Sequence, residues 1–260
     1  MLQEIIENRR KKVEQLKQLY PTNLLEQSIY FDSNCVSLSH YLTRKDSSGI
    51  IAEFKRKSPS KGIINEYAEV KETTLGYMQA GAAVLSILTE EDYFMGRSKD
   101  LSMARDVNYC PILRKDFIVD EYQIIEAKSI GADVILLIAA ALSKKEVKSF
   151  YELATSLGLQ VLFEVHAKEE LDKLPDSDII VGVNNRNLKT MEVNLKTSYE
   201  MIDVLPKSSI LVSESGLANA SDIKKLKEAG YQGFLMGEHF MRTTNPAAAL
   251  KEFLLNLRQQ

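Results

Sequence analysis

The sequence predicts a closed eight-stranded α/β barrel with a helical extension ahead of it. Three observations carry that prediction. First, a module recurs four times in which a helix-like segment ends on a glycine and an apolar run follows: QAGAAVLSIL at Gly81, SIGADVILLI at Gly131, SLGLQVLFEV at Gly158 and EAGYQGFLMG at Gly230. A glycine just past a helix takes the left-handed cap conformation at low cost. A run of Val, Ile and Leu without strict alternation marks a strand covered on both faces, as in a parallel sheet. Second, extending the pattern gives eight strands, near 50–54, 84–88, 110–114, 133–138, 160–164, 179–183, 209–213 and 232–236, with helical periodicity between them. Third, 260 residues fit the about 250 typical of such a barrel.

The elements follow in chain order. Residues 1–48 form the extension. MLQEIIENRRKKVEQLKQLY places Leu2, Ile5, Ile6, Val13 and Leu16 on one stripe, so it reads as an amphipathic helix packed on the barrel. Pro21 breaks it, and NLLEQS starts a second short helix. Residues 49–260 form the barrel, and the whole chain reads as one domain, since no Pro/Gly/Ser-rich linker divides it. Four segments carry clear helical periodicity: EVKETTLGYMQA, SKKEVKSFYELATSL, LKTSYEMIDVL and NASDIKKLKEA. Strands alternating with helices give right-handed crossovers and a parallel sheet. The first turn, KRKSPSKG, lacks G-x-G-x-x-G, which argues against an open dinucleotide-binding sheet.

Composition narrows the function. With 33 Lys+Arg against 36 Asp+Glu and a net charge of -3, the chain has no electrostatic footprint for nucleic acid. Its longest apolar run, Val134 to Leu142, is far shorter than the ~20 residues of a membrane-spanning helix. Glu4, Glu7, Arg9 and Arg10 deny the N-terminus the apolar core of a secretion signal. Cys35 and Cys110 form no disulfide framework, and His40, His166 and His239 show no metal-ligand spacing. A cytoplasmic protein without a metal is expected.

In barrels of this kind the active site lies where the strands end, and charge gathers there. The eight runs close on Glu53-Phe54-Lys55, Thr89-Glu90, Arg114-Lys115-Asp116, Ile138-Ala139, Glu164-Val165-His166, Asn184-Asn185-Arg186, Ser213-Glu214-Ser215-Gly216 and Gly237-Glu238. Side chains alternate along a strand, so Glu53 and Lys55 share an inward face, as do Asn184 with Arg186 and Ser213 with Ser215. A carboxylate beside an amine suits proton transfer, and it equally suits a structural ion pair. Burial is expected to raise the pKa of Glu164 and fit it to act as an acid near neutrality, the alternative being a carboxylate paired with Lys55 or Lys115. His166 and His239 receive no role. Gly216 and Gly237 each open a turn able to offer backbone N–H groups to an anion, with Glu238–Arg242 as the short extra helix of a barrel phosphate site. Glu238 is expected to turn outward, away from that anion. Pro59, Phe94, Phe117, Leu136 and Leu188 sit where they would line a flat pocket for an aromatic ring, or simply pack.

IIAEFKRKSPSKG, LTEEDYFMG, ILRKDFIVDEYQI, GADVILLIA, LFEVH, VGVNNRNL, LVSESG and GFLMGEHFMR, in this order, resemble the indole-3-glycerol phosphate synthase family from about residue 2 to the final helix. The resemblance implies a cofactor-free TIM barrel of tryptophan biosynthesis. The family closes the indole ring of 1-(2-carboxyphenylamino)-1-deoxyribulose 5-phosphate, releasing carbon dioxide and water. It implies that Lys115 is the general acid on the ketone oxygen and that Glu164 handles protons during dehydration. Glu53 and Asn184 would hold and polarise the substrate, with Glu53 as a further base. Lys55 would neutralise an anionic group or act as a second acid, and Ser215 would contact substrate oxygens. Arg186 would meet the anthranilate carboxylate, and Ser58 and Glu214 would bind substrate. Phe94, Phe117, Leu136 and Leu188 would form the ring pocket, and Gly216, Gly237 and Glu238 the phosphate turn. Where relatives carry a small hydroxyl residue in that turn, this chain has Glu238-His239, which leaves the phosphate to backbone amides. Two other functions stay open: a Schiff-base aldolase using Lys115 or Lys55, and a phosphate-binding barrel that has lost catalysis. The expected partner is a phosphorylated small molecule bound by a monomer.

Overall fold

The structure is a computed structural model that describes residues 1–188 and 190–259. Ahead of the barrel come helices α1 (Leu2–Leu19), α2 (Thr22–Leu25) and α3 (Leu38–Thr43). The strands are β1 (Ile50–Phe54), β4 (Val84–Leu88), β5 (Ile112–Lys115), β6 (Val134–Ile138), β7 (Gln160–Val165), β8 (Ile180–Asn184), β9 (Ile210–Glu214) and β10 (Gly233–Met236); β2 (Lys57–Ser58) and β3 (Gly62–Ile63) make a separate antiparallel ribbon in the first loop. The eight long strands close in the order β1-β10-β9-β8-β7-β6-β5-β4, every pair parallel. This is the TIM barrel that the glycine-capped module predicts, and all four capping glycines adopt positive φ, from 77° at Gly158 to 114° at Gly230.

Outside the sheet run α4 (Val70–Ala80), α5 (Ser98–Arg105), α6 (Glu121–Ser129), α7 (Lys144–Ser156), α8 (Lys196–Ile202), α9 (Ala220–Ala229) and α11 (Pro246–Gln259), with the short α10 (Glu238–Met241) after β10. The fifth unit departs from the periodic pattern. Between β7 and β8 the chain makes only a 3₁₀ turn, Lys168–Lys173. Its sequence, KEELDK, offers one apolar residue, too few for a helix to bury a face.

Alternation along each strand separates two cores. Leu85, Ile87, Ile135, Leu137, Val161, Phe163, Val181 and Val183 face the helices. Ile51, Leu113, Val134, Leu136, Ile138, Leu162, Ile180, Val212 and Leu235 fill the barrel together with Leu38 and Leu42 of α3. Thus α3, a helix the sequence pattern does not announce, packs the barrel interior through these two buried leucines. Burying each contributes about 1.5–3 kcal/mol.

The apolar stripe of α1 buries Ile5, Ile6 and Val13, and Arg9 lies buried with them. Its guanidinium reaches Asp116 Oδ2 at 2.5 Å, beside the end of β5. Tyr122 of α6 donates to the carbonyls of Leu16 and Tyr20, fixing the far end of the helix. At its near end, Met1, Leu2 and Ile5 reach the cavity at the barrel mouth.

Candidate active site

The strand ends open into a cavity of about 490 Å³, and all sixteen residues to which the family resemblance gives a role lie in its wall. Parity explains how the acidic and basic groups arrive there. On β1, Ile50, Ala52 and Phe54 face the helices, so Glu53 turns inward and Lys55 follows it. Their side chains meet at 2.6 Å. On β5, Leu113 and Lys115 point into the barrel while Arg114 points out. Register completes the set: Glu164 stands opposite Gly182, and Asn184 opposite Glu214. A Cβ at position 182 would collide with the Glu214 carboxylate, so glycine there leaves room for that acid.

The centre is a charge cluster. Lys115 Nζ lies 2.8 Å from Glu164 Oε2 and 3.5 Å from Glu214 Oε2. Asn184 Nδ2 donates to Glu164 Oε1 at 3.1 Å, and His166 Nε2 lies 3.2 Å from the same oxygen. Burial disfavours the charge on Lys115, but the carboxylates of Glu164, Glu214 and Glu53 outweigh it and raise its pKa. The ammonium therefore persists at neutral pH and has a proton to give. Burial alone would push Glu164 up; the Lys115 and His166 cations reverse this and hold its carboxyl well below the usual range. That corrects the expectation of a protonated Glu164 near neutrality. The raised acid is Glu214. Burial lifts it, Lys115 opposes, and the Glu164 and Glu53 carboxylates add to the lift, leaving it at about 7. Its Oε1 is buried and without a hydrogen-bond partner among the described residues.

Around this cluster the wall divides by chemistry. Phe94 and Phe117 stand with ring centroids 6.1 Å apart at 39°, and Leu136 and Leu188 line the same cavity. Arg186 lines it too, with Nη1 donating to the Met191 carbonyl at 3.1 Å. Ser58, in the β2–β3 ribbon, is buried with its hydroxyl unpartnered among the described residues. Ser215, Gly216 and Gly237 lie in the wall after β9 and β10, where the chain turns. Ser215 adopts φ 67° and Gly216 φ 78°, two successive left-handed residues that end the strand geometry. Glu238 opens α10, and its side chain is 37% exposed. It contributes to the wall, its carboxylate 3.9 Å from Lys61 of the first loop.

Two further expectations are corrected. Ser213 does not share an inward face with Ser215. Its Oγ lies 2.8 Å from Ser198 Oγ, on the helix side, because β9 ends at Glu214 and the left-handed Ser215 reverses the alternation. Arg114 is not part of the polar rim. It is fully buried between Asp116 and Glu126, donating at 3.1 and 2.6 Å. His166, given no role from sequence, touches Glu164 directly. The signal was its spacing, two residues after one glutamate and four before Glu170. Among the described residues, no group of three or more His, Cys, Asp and Glu side chains is arranged to hold a metal ion.

Comparison with known proteins adds an independent line. The family model described as Indole-3-glycerol phosphate synthase matches residues 2–253. A relative of that description from Bacteroides thetaiotaomicron is 45% identical over 98% of this chain and 97% of its own length. Another, from Campylobacter fetus, is 42% identical over 97% of this chain and 98% of its own length. Among solved structures, 3-hexulose-6-phosphate synthase from Salmonella typhimurium superimposes with a TM-score of 0.65 at 12% identity, over 81% of this chain and 99% of that one. A chain of the tryptophan synthase complex from Pyrococcus furiosus gives 0.59 at 14% identity, over 82% of this chain and 98% of that one. At such identities these two matches speak for the fold alone.

Proposed function

The chain belongs to the indole-3-glycerol phosphate synthase family, and on that footing we propose how its cavity performs the reaction. It is a carboxy-lyase of tryptophan biosynthesis acting on a phosphorylated small molecule. The substrate, 1-(2-carboxyphenylamino)-1-deoxyribulose 5-phosphate, brings a ring, a ketone and a phosphate, and the cavity offers each a chemically suitable wall.

The aromatic ring sits among Phe94, Phe117, Leu136 and Leu188, with its carboxylate toward Arg186. The phosphate lies at the turns of Gly216 and Gly237, held by backbone N–H groups, with Glu238 beside it rather than a hydroxyl. Ser58 and Ser215 bind substrate oxygens, and Glu214 binds a substrate hydroxyl. Lys115 protonates the ketone oxygen as the ring carbon attacks; loss of carbon dioxide then restores aromaticity. In the dehydration Glu164, a carboxylate at neutral pH, takes the proton lost from the new ring, while Lys55, as the second acid, protonates the departing hydroxyl so that it leaves as water. Glu53 and Asn184 hold and polarise the reacting atoms, with Glu53 a further base, and Lys55, paired to Glu53, supplies a second cation. Such acid–base groups contribute ~10²–10⁴-fold each. The observation that carries this reading is the Lys115–Glu164 contact of 2.8 Å inside the cavity wall. We further place the protein as a monomer of the cytoplasm; among the described residues no helix is long and apolar enough to cross a membrane.

Turnover in the presence of borohydride tests the reading against a Schiff-base aldolase. One carbon dioxide per indole product and no reduced lysine adduct are expected. Stoichiometric trapping on Lys115 or Lys55 during turnover would contradict it.

A further inference from the structure

Glu164 is held from two sides. Lys115 occupies Oε2 at 2.8 Å. At Oε1, alongside Asn184, lies Nε2 of His166 at 3.2 Å. The imidazole stands outside the cavity wall, and its side chain is 10% exposed. Its other nitrogen, Nδ1, lies 3.7 Å from Glu170 Oε2, the same oxygen that accepts the His166 backbone N–H at 2.8 Å. One imidazole is thus flanked by a carboxylate at the reaction centre and a carboxylate in the following turn. The backbone bond keeps the Glu170 carboxylate beside the ring, and the two imidazole nitrogens meet Glu164 and Glu170 at ion-pair distance, without a hydrogen-bond partner among the described residues.

From this geometry we propose that His166, braced by Glu170, is a positioning residue that keeps Glu164 aimed at the substrate as a carboxylate. The proposal rests on the reading of Glu164 as a proton acceptor. A cation against Oε1 favours the charged form of that acid and leaves Oε2 and Lys115 facing the substrate. Burial disfavours charge on the imidazole, but Glu164 and Glu170 overcome it and raise His166 to about 9, so it is cationic at neutral pH. On its far side the Glu164 carboxylate meets Lys115 of β5, which also lies 3.5 Å from Glu214 of β9.

The test is the pH profile of kcat for His166→Gln and Glu170→Gln beside the wild type, with folding checked by thermal melting. His166→Gln keeps polarity and removes the charge. Its acid limb is expected to move to higher pH by roughly one unit. The kcat at pH 7 falls about tenfold, with KM nearly unchanged because His166 is not in the cavity wall. Glu170→Gln moves the limb in the same direction. A merely structural histidine would lower the melting temperature and leave the limb in place. If His166→Gln fails to fold, the limb of Glu170→Gln decides. An acid limb that stays put in the folded variants overturns the proposal. A wild-type protein that makes no indole product would instead overturn the reading beneath it.

Discussion

Lys115 and Glu164 stand 49 positions apart in the chain, and their ammonium and carboxylate meet at 2.8 Å in the wall of the barrel cavity. The pair joins β5 to β7 across the one strand between them. A buried ion pair is weak evidence for stability, because desolvation offsets most of the attraction. Chemistry explains it better, since a persistent acid and an ionised base are set side by side where substrate binds.

Removing either partner therefore strikes turnover first. Lys115→Ala and Glu164→Gln are each expected to lower kcat by at least ~100-fold. Steady-state kinetics on folded variants checks this. Near-normal turnover in either variant refutes the role given to that residue.

Glu214 makes stability depend on pH in a defined window. Its pKa rises from the ordinary 4.5 to about 7 on folding, so the folded state binds a proton more tightly than the unfolded chain. That stabilisation is full below about 4.5 and is lost as pH rises through about 7. Glu214→Gln is expected to lose less melting temperature than the wild type between these limits. Parallel melting curves for the two proteins across the window would contradict the assignment.

The Arg114 site is structural. Its guanidinium, fully buried, serves both Asp116 and Glu126. Arg114→Met leaves two carboxylates short of a partner and is expected to lower unfolding free energy by about 3–5 kcal/mol, measured in urea. A loss under about 1 kcal/mol would show that Arg9 and the neighbouring donors suffice.

Gly237 guards the position of Glu53. A Cβ there would lie 2.7 Å from Glu53 Oε1 and 2.9 Å from its Cβ. Gly237→Ala is expected to reduce kcat/KM ~10–100-fold by displacing that carboxylate, with only a small drop in melting temperature. Unchanged kcat/KM would mean that Glu53 tolerates the shift.

Most of the barrel was legible because its signals are local. Gly81, Gly131, Gly158 and Gly230 mark helix ends, and the apolar runs after them fall within two residues of the observed strands. Inward parity correctly paired Glu53 with Lys55. Legibility stops where the backbone leaves strand geometry, so the left-handed Ser215 reverses the alternation expected beyond Ser213. It stops also where a property depends on groups distant in sequence. The ionisation of Glu164 is set by Lys115 as well as by nearby His166, and burial alone gives the wrong sign. Helix α3 has six residues, too few to show a period, although Leu38 and Leu42 are fully buried or nearly so.

The most direct test is to add 1-(2-carboxyphenylamino)-1-deoxyribulose 5-phosphate to the purified wild-type protein and follow indole emission. The chain contains no tryptophan, so the product appears without an indole background. A steady rise in indole fluorescence that vanishes in Lys115→Ala is the expected result. Folded wild-type protein that yields no emission, or a Lys115→Ala protein that matches it, would contradict the claim that this cavity closes the indole ring.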